Sequence, residues 1–430
     1  MSTFQLTLIG VFIFALIVGV LVFAGILPGF RAPAGGTGGL VTLWGTLPQN
    51  AADLALSQFK KDHEGEFTLN YVAKDARSFE SEFVEALASG NGPDLVLMPN
   101  ELVNKHTNKL RLIPFSSYSA TDFQNNFIDQ GRLYLTSEGA WALPALVDPL
   151  VMYVNRDLLI SARIPQVPKT WTELQTAVKS LSVADNQSTL SQSAIALGTF
   201  KNITHAKDIL SLLIMQAGNP IVTTGNNGYE STLKDSLGNV KSPAEEALDF
   251  FGRFVDPTSA VYSWNSAQPE ARSAFTRGTL AFYLGYASEL SRLKQQNPQL
   301  NIDVALVPQL PGRRQLTMGQ LSGISLVKTS RNSATAFQVM ALLTSRSAAE
   351  ALATVAELPP ARRDLLRPVA SDAVKTVFNE AAILAAGWPD PDPLATEAIF
   401  RTMVEAIQVR GVIPSVAIIE ADIQLDLLFR

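Results

Sequence analysis

Residues able to do bond-making chemistry are few in this chain. The three histidines, His63, His106 and His205, lie far apart. No two share a helical turn, so the paired-histidine arrangement of a zinc-binding helix is absent. Each reads as a surface or helix-end residue. There is no cysteine, which removes disulfides, zinc thiolates, a thiol nucleophile and a lipidated N-terminal cysteine. "GQLSG" (319–323) is not a nucleophile elbow, because Ser322 abuts the last glycine instead of standing between two. No phosphate-cradling glycine loop occurs. Asp390 and Asp392 sit in the Pro-rich turn "WPDPDP", without the acid comb of a calcium loop. "NQS" (186–188) and "NIT" (202–204) match the glycosylation acceptor pattern, which is common by chance.

What remains is a set of aromatics and acids near strand ends. Asp148 stands between Pro144 and Pro149 at the mouth of the apolar run "LVMYV". Trp44 closes the first apolar run, Tyr283 and Tyr286 flank Gly285, and Trp388 precedes a proline turn. An aromatic ring offers a flat apolar face to the C–H side of a sugar, while acids and amides bond its hydroxyls. Core packing is the competing use of each ring. It wins for Trp171, beside a helix cap; Trp264, Tyr286 and Trp388 fit either use. For Asp148 the competing reading is a surface turn acid.

The elements that must position these residues follow a pattern. "LVTLWGTLP" (40–48) reads as a strand, and Leu54, Ala55 and Phe59 then take helical spacing, with Lys60 and Lys61 near the helix end. "FTLNYV" (67–72) alternates as a strand. "SFESEFVEALASG" (78–90) spaces Phe79, Phe83 and Leu87 four apart, with Gly90 as the stop. "PDLVLMP" (93–99) is a fully apolar strand of the kind parallel sheets use. The order β-α-β-α-β is doubly wound. "PKTWTELQTAVKSL" (168–181) opens a helix on a capping box of Thr170 and Glu173. Residues 244–255 and 334–345 read as further amphipathic helices. Residues 278–286 and 302–312 read as strands, and the last third reads as mostly helical.

Two features bound the whole. The chain of 430 residues is 47% hydrophobic and 17% charged, with a formal net charge of −5 and no basic run, so nucleic acid is not an expected partner. No charged residue precedes Arg31, and residues 4–27 are almost continuously apolar. As a helix they span ~36 Å, enough for a bilayer core of ~30 Å. "MST" lacks the positive start of a signal peptide and the run exceeds its usual apolar length, so an uncleaved anchor over 1–27 is favoured over a cleaved leader. The Pro/Gly stretch 28–39 is a linker reaching ~19 Å. The remaining residues, about 390, exceed one ordinary core and imply two domains.

Several stretches, in order, carry a resemblance: "LVTLWGT" (40–46), "GPDLVLMPNELV" (92–103), "LRLIPF" (110–115), "WALPALVDPLVMYVNRDLL" (141–159), "IPQVPKTWTELQTAVKSL" (164–181), "RGTLAFYLGYASEL" (277–290) and "LSGISLVKTSRN" (321–332). Their most specific part is Pro, spacer, acid, apolar strand, then "YVNRDLL" and "PKTWTEL". This resembles the extracytoplasmic solute-binding proteins of ABC importers, the maltose/oligosaccharide type (family 1). The resemblance implies a two-lobed α/β periplasmic-binding-protein (Venus-flytrap) fold, type II-like. Residues 40–147 with 322–373 would form lobe one, and 148–321 with 374–430 lobe two. It implies a monomer without cofactor, metal or catalysis, which captures a sugar or oligosaccharide between the lobes and delivers it to permease subunits from an extracytoplasmic position at the cell membrane. Residue by residue, the resemblance assigns ligand contacts to Asp148 in the first hinge strand, Trp44 and Thr46 after the first strand, Asn100 and Glu101 after the "GPD" strand, Tyr286 at "LGY", and Trp388. Leu47, Pro48 and Met98 depart from the maltose pattern. A non-sugar solute (polyamine, peptide or chelate), a receptor without a transporter, and an anchored glycan hydrolase are the rival readings. The hydrolase needs two facing carboxylates, and no pair stands out by spacing.

Overall fold

The first 38 residues aside, alternating strands and helices run the length of the chain, in a computed structural model that describes residues 39–225, 228–236, 238 and 241–429. The apolar segment 1–27 and most of the linker lie outside the described residues. Among the described residues no helix is long and apolar enough to cross a membrane.

Ten strands form one mixed sheet: β1 (Leu40–Gly45), β2 (Thr68–Ala73), β3 (Leu95–Pro99), β4 (Leu143–Asn155), β5 (Val183–Ala184), β6 (Leu190–Ile195), β7 (Leu280–Tyr286), β8 (Ile302–Ala305), β9 (Thr317–Leu326) and β10 (Ala385–Ala386). Their order is β2-β1-β3-β9-β4-β7-β6-β5, with β8 on β4 and β10 on β9. The pairs β1–β2 and β1–β3 are parallel, joined through the helices Gln49–Asp62 and Phe79–Ala88, as the doubly wound pattern requires. The strand predicted over 302–312 stops at Ala305, because Pro308 and Pro311 lack the N–H a ladder needs.

Side chains bury into two clusters. One holds Val41 to Val147 and Leu321 to Leu366; the other holds Leu150 to Met318 and most of the later buried residues. Three segments pass between them: β4 between Val147 and Leu150, β9 between Met318 and Leu321, and the helix Ala373–Leu384, which gives Phe378 and Ala381 to one cluster and Ala382 to the other.

The stretch around Asp148 differs from the expected broken run. β4 is one strand of 13 residues, buried throughout, and both prolines lie within it. The irregularity is a bulge: Leu146 pairs with Ser322 and Pro144 with Gly323, leaving Ala145 as the extra residue. Its carbonyl accepts from the N–H of Ala361 (2.9 Å), and the N–H of Val147 donates to the Pro359 carbonyl (3.0 Å). Alternation along the strand aims the position-149 backbone nitrogen at the same edge as that of Val147. There the strand has left the 359–361 segment, and the first of its residues to pair with β7 is Leu150, opposite Tyr286. A proline therefore costs no ladder bond at 149. Gly323 is required by the same crossing. A Cβ there would stand 2.7 Å from the Tyr134 ring, whose hydroxyl donates to the Leu321 carbonyl (3.0 Å).

The predicted capping box is formed: the N–H of Glu173 donates to Thr170 Oγ1 (3.2 Å), and Glu173 Oε2 accepts from the Thr170 N–H (3.3 Å). Thr170→Ala is expected to lower stability by about 1 kcal/mol, read from the denaturant midpoint at unchanged slope.

Candidate functional site, a cavity between the lobes

The cavity grows out of where elements begin and end. β3 runs directly into the helix Asn100–Lys105, placing Asn100 and Glu101 at its edge. β7 delivers Tyr286 and β9 delivers Gly319 and Gln320. The helix Ala206–Ala217 points its first turn inward with His205, Lys207 and Asp208. The segment leading to the helix Pro393–Gln408 adds Trp388, Asp390 and Glu397. Together they enclose about 420 Å³, within the usual size for a small-ligand site.

The walls are of two kinds. Tyr286, Trp388 and Phe200 supply rings. Trp388 lies parallel to Phe400, 6.2 Å between centroids, which fixes its plane. His205 meets Tyr286 edge-on at 4.8 Å and bonds Glu289 (Nε2 to Oε1, 2.6 Å). Glu289 also accepts from the Tyr283 hydroxyl (2.8 Å) and the Tyr286 N–H (3.0 Å). Burial alone would raise the Glu289 carboxyl, but these donors hold it below the usual range.

The second kind of wall is charged. Lys207 is enclosed by acceptors: Asp390 Oδ2 at 2.8 Å, Thr396 Oγ1 at 3.3 Å and the Pro393 carbonyl at 3.4 Å. Burial works against its charge, yet Asp390 and Asp208 keep it above the ordinary lysine value. Glu101 makes no side-chain hydrogen bond or salt bridge to another described residue. Burial pushes its carboxyl up to about 7, with Asp390 and Asp208 adding to the rise. The Tyr286 phenol is held well above its usual value by burial, beside Asp208.

Four of the seven residues assigned from the resemblance line this cavity: Asn100, Glu101, Tyr286 and Trp388. Three do not. Asp148 is buried behind the floor, where its Oδ1 accepts from the Ser288 N–H in the turn after β7 (3.0 Å). Trp44 is buried in the first lobe under Lys74, whose Nζ stands 3.8 Å from the ring centroid. Thr46 is exposed beyond the end of β1. Trp264 is fully buried, its Nε1 donating to Asn202 (3.1 Å). That same Asn202 is the "NIT" asparagine. Its amide donates to the carbonyls of Asn265 and Gln268 (both 2.9 Å), so it is not a free acceptor for a glycan.

Sequence reasoning alone does not single out Lys207, Asp208 or Gln320, and it leaves Asp390 as a turn acid. Gln320 has a signal, as an exposed polar residue in an otherwise largely buried strand, but that exposure appears only once β9 is folded. Among the described residues no cluster of three metal-ligating side chains occurs.

The family profile of the bacterial extracellular solute-binding proteins matches residues 55–379. The chain belongs to that family. Solved structures share its two-lobed fold. A cyclo/maltodextrin-binding protein complexed with maltotetraose superposes with a TM-score of 0.74 at 17% identity, over 91% of this chain and 98% of that one. The GacH receptor of Streptomyces glaucescens, solved unliganded and with acarbose, gives a TM-score of 0.67 at 18% identity over 91% and 98%. A putative binding protein of Brucella abortus is 21% identical over 292 residues, 66% of this chain and 67% of that protein. The family and these neighbours are binding proteins, and the two neighbouring structures were solved with oligosaccharide or acarbose ligands.

Proposed function

We propose that this protein captures a saccharide in the interlobe cavity and passes it to the permease of an ABC importer, held at the membrane by residues 1–27. The observation that carries the reading is the pairing of a fixed ring plane, Trp388 on Phe400, with carboxylates and the Gln320 amide in one cavity built from both lobes. Rings take the apolar face of a sugar and the polar groups take its hydroxyls. Asn100, Glu101, Tyr286 and Trp388 are the proposed contacts from the sequence, joined by Gln320 and Asp208. Asn100 also holds the hinge, since its Oδ1 accepts from the Leu321 N–H (3.3 Å). The type II-like reading rests on the return of β9 between β3 and β4.

The mechanism is closure about β4, β9 and the helix Ala373–Leu384. A solute that touches both lobes binds the closed form better and shifts the population toward it. A thermal-shift panel of mono- and oligosaccharides on the full-length chain tests this. A cognate sugar raises the melting temperature as its concentration climbs past Kd and is recovered unhydrolysed. If no saccharide in the panel stabilises the protein, the reading is wrong.

A further inference from the structure

The acids of the cavity outnumber its cations. Glu101, Asp208, Asp390 and Glu397 line it, against Lys207 and the His205 ring. Lys207 is taken by Asp390 at 2.8 Å, Glu397 by Arg401 at 2.9 Å and His205 by Glu289 at 2.6 Å. Glu101 and Asp208 form no salt bridge among the described residues, and the Lys207 charge that reaches both is shared with Asp390. They come from different lobes, Glu101 from the helix after β3 and Asp208 from the first turn of the helix Ala206–Ala217.

Both stand in a first helical turn, where the N-terminal dipole offsets part of a negative charge. The offset is incomplete for Glu101, whose helix has only six residues and whose carboxyl is driven toward its neutral form by burial and by the neighbouring acids. Bringing the lobes together moves the two acids toward each other in a water-poor space, so closure must either hold like charges close or protonate Glu101, and both oppose it. A neutral sugar offers hydroxyls, which leave the summed charge unchanged. A protonated amine removes the opposition.

We propose that the solute is a saccharide bearing a protonated amine, and that the amine lies between Glu101 and Asp208 and draws the lobes together. This rests on the saccharide reading and narrows it to one chemical class. Tyr286, whose phenol adjoins Asp208, and Trp388 add ring faces that favour a cation as well as a sugar. The remaining titratable groups facing the site, His205, Lys207, Asp390 and Glu397, already have partners; Asp208 takes the Tyr286 phenol, and a carboxylate with one donor keeps room for the amine.

The test compares glucosamine, N-acetylglucosamine and glucose, each as the monomer and the β-1,4 trimer, with spermidine as a non-saccharide amine, by calorimetric titration of the full-length chain at pH 7. Tighter binding of the amine form by about tenfold or more over both neutral forms, with the preference falling in high salt, supports the proposal. Glu101→Gln and Asp208→Asn should each erase most of that preference; a preference that survives both changes overturns the assignment. Equal or better binding of the neutral sugars overturns the amine while leaving the saccharide reading standing. Binding of spermidine with no saccharide binding, or of no compound at all, overturns both.

Discussion

Replacing Trp388 by alanine is expected to weaken solute binding by about 2–4 kcal/mol, a loss of roughly 30- to 1,000-fold. The ring is 4% exposed, and what it exposes faces the cavity. Its plane is set by Phe400, and Lys207 stands 6.0 Å from its centroid. A ligand therefore meets a surface already ordered, which loses little entropy on binding. The same burial means that alanine leaves a void, and stability should fall too, by about 3–5 kcal/mol. Trp388→Phe separates the two effects. It keeps an apolar ring on Phe400 and should retain most of the fold while losing part of the stacking area. Calorimetry on both variants, alongside circular dichroism, reads the result. A folded Trp388→Ala protein that binds like the parent would remove the ring from the site.

The reason that ring can be found in sequence, while its charged neighbours cannot, is physical. Strand patterns and caps are local, so β1 to β3 and the Thr170 capping box are legible from a few residues each. Trp388 and Tyr286 are visible by type, as rings beside Gly or Pro turns, and the resemblance chooses binding over core for them. Lys207 and Asp208 are ordinary first-turn residues until folding sets them opposite Asp390 and Glu101, which are 183 residues from Lys207 in the first case and on the other lobe in the second. Trp44 is legible as a strand-end aromatic, yet its neighbour Lys74, at the end of β2, decides its packing. The prolines of β4 mislead in a related way. A proline reads as a strand breaker because most strand N–H groups have partners. At Pro149 the partner strand changes, so the missing donor is not missed.

Asp148→Asn is expected to stabilise the protein at pH 7 to 8, on the order of 3 kcal/mol, and to change little at pH 4. Burial pushes the Asp148 carboxyl up to about 6, and the charge of Glu289 adds to the rise, although the bonds with Ser288 and the His205 ring pull the other way. In the unfolded chain the group titrates near ~3.9. The folded state thus prefers the neutral acid. Its contribution is fully present below about pH 4, shrinks as the unfolded chain ionises first, and is lost once pH passes about 6. The gap between those two values, at ~1.36 kcal/mol per pH unit, sets the upper size of the effect. Asparagine keeps an oxygen to accept from the Ser288 N–H and cannot ionise, so it removes the penalty without emptying the contact. Glu101 titrates in an overlapping range, with its carboxyl at about 7, but it is present in both proteins and cancels in the difference. Denaturant melts of parent and variant across pH 4 to 8 give the curve directly. A stability difference that rises from near zero at pH 4 to a plateau above pH 6 supports a buried carboxylate whose ionisation works against the fold. A loss of stability that grows from pH 4 to pH 7.5 would show instead that Asp148 is held ionised at the hinge, and the reading of its environment would be wrong.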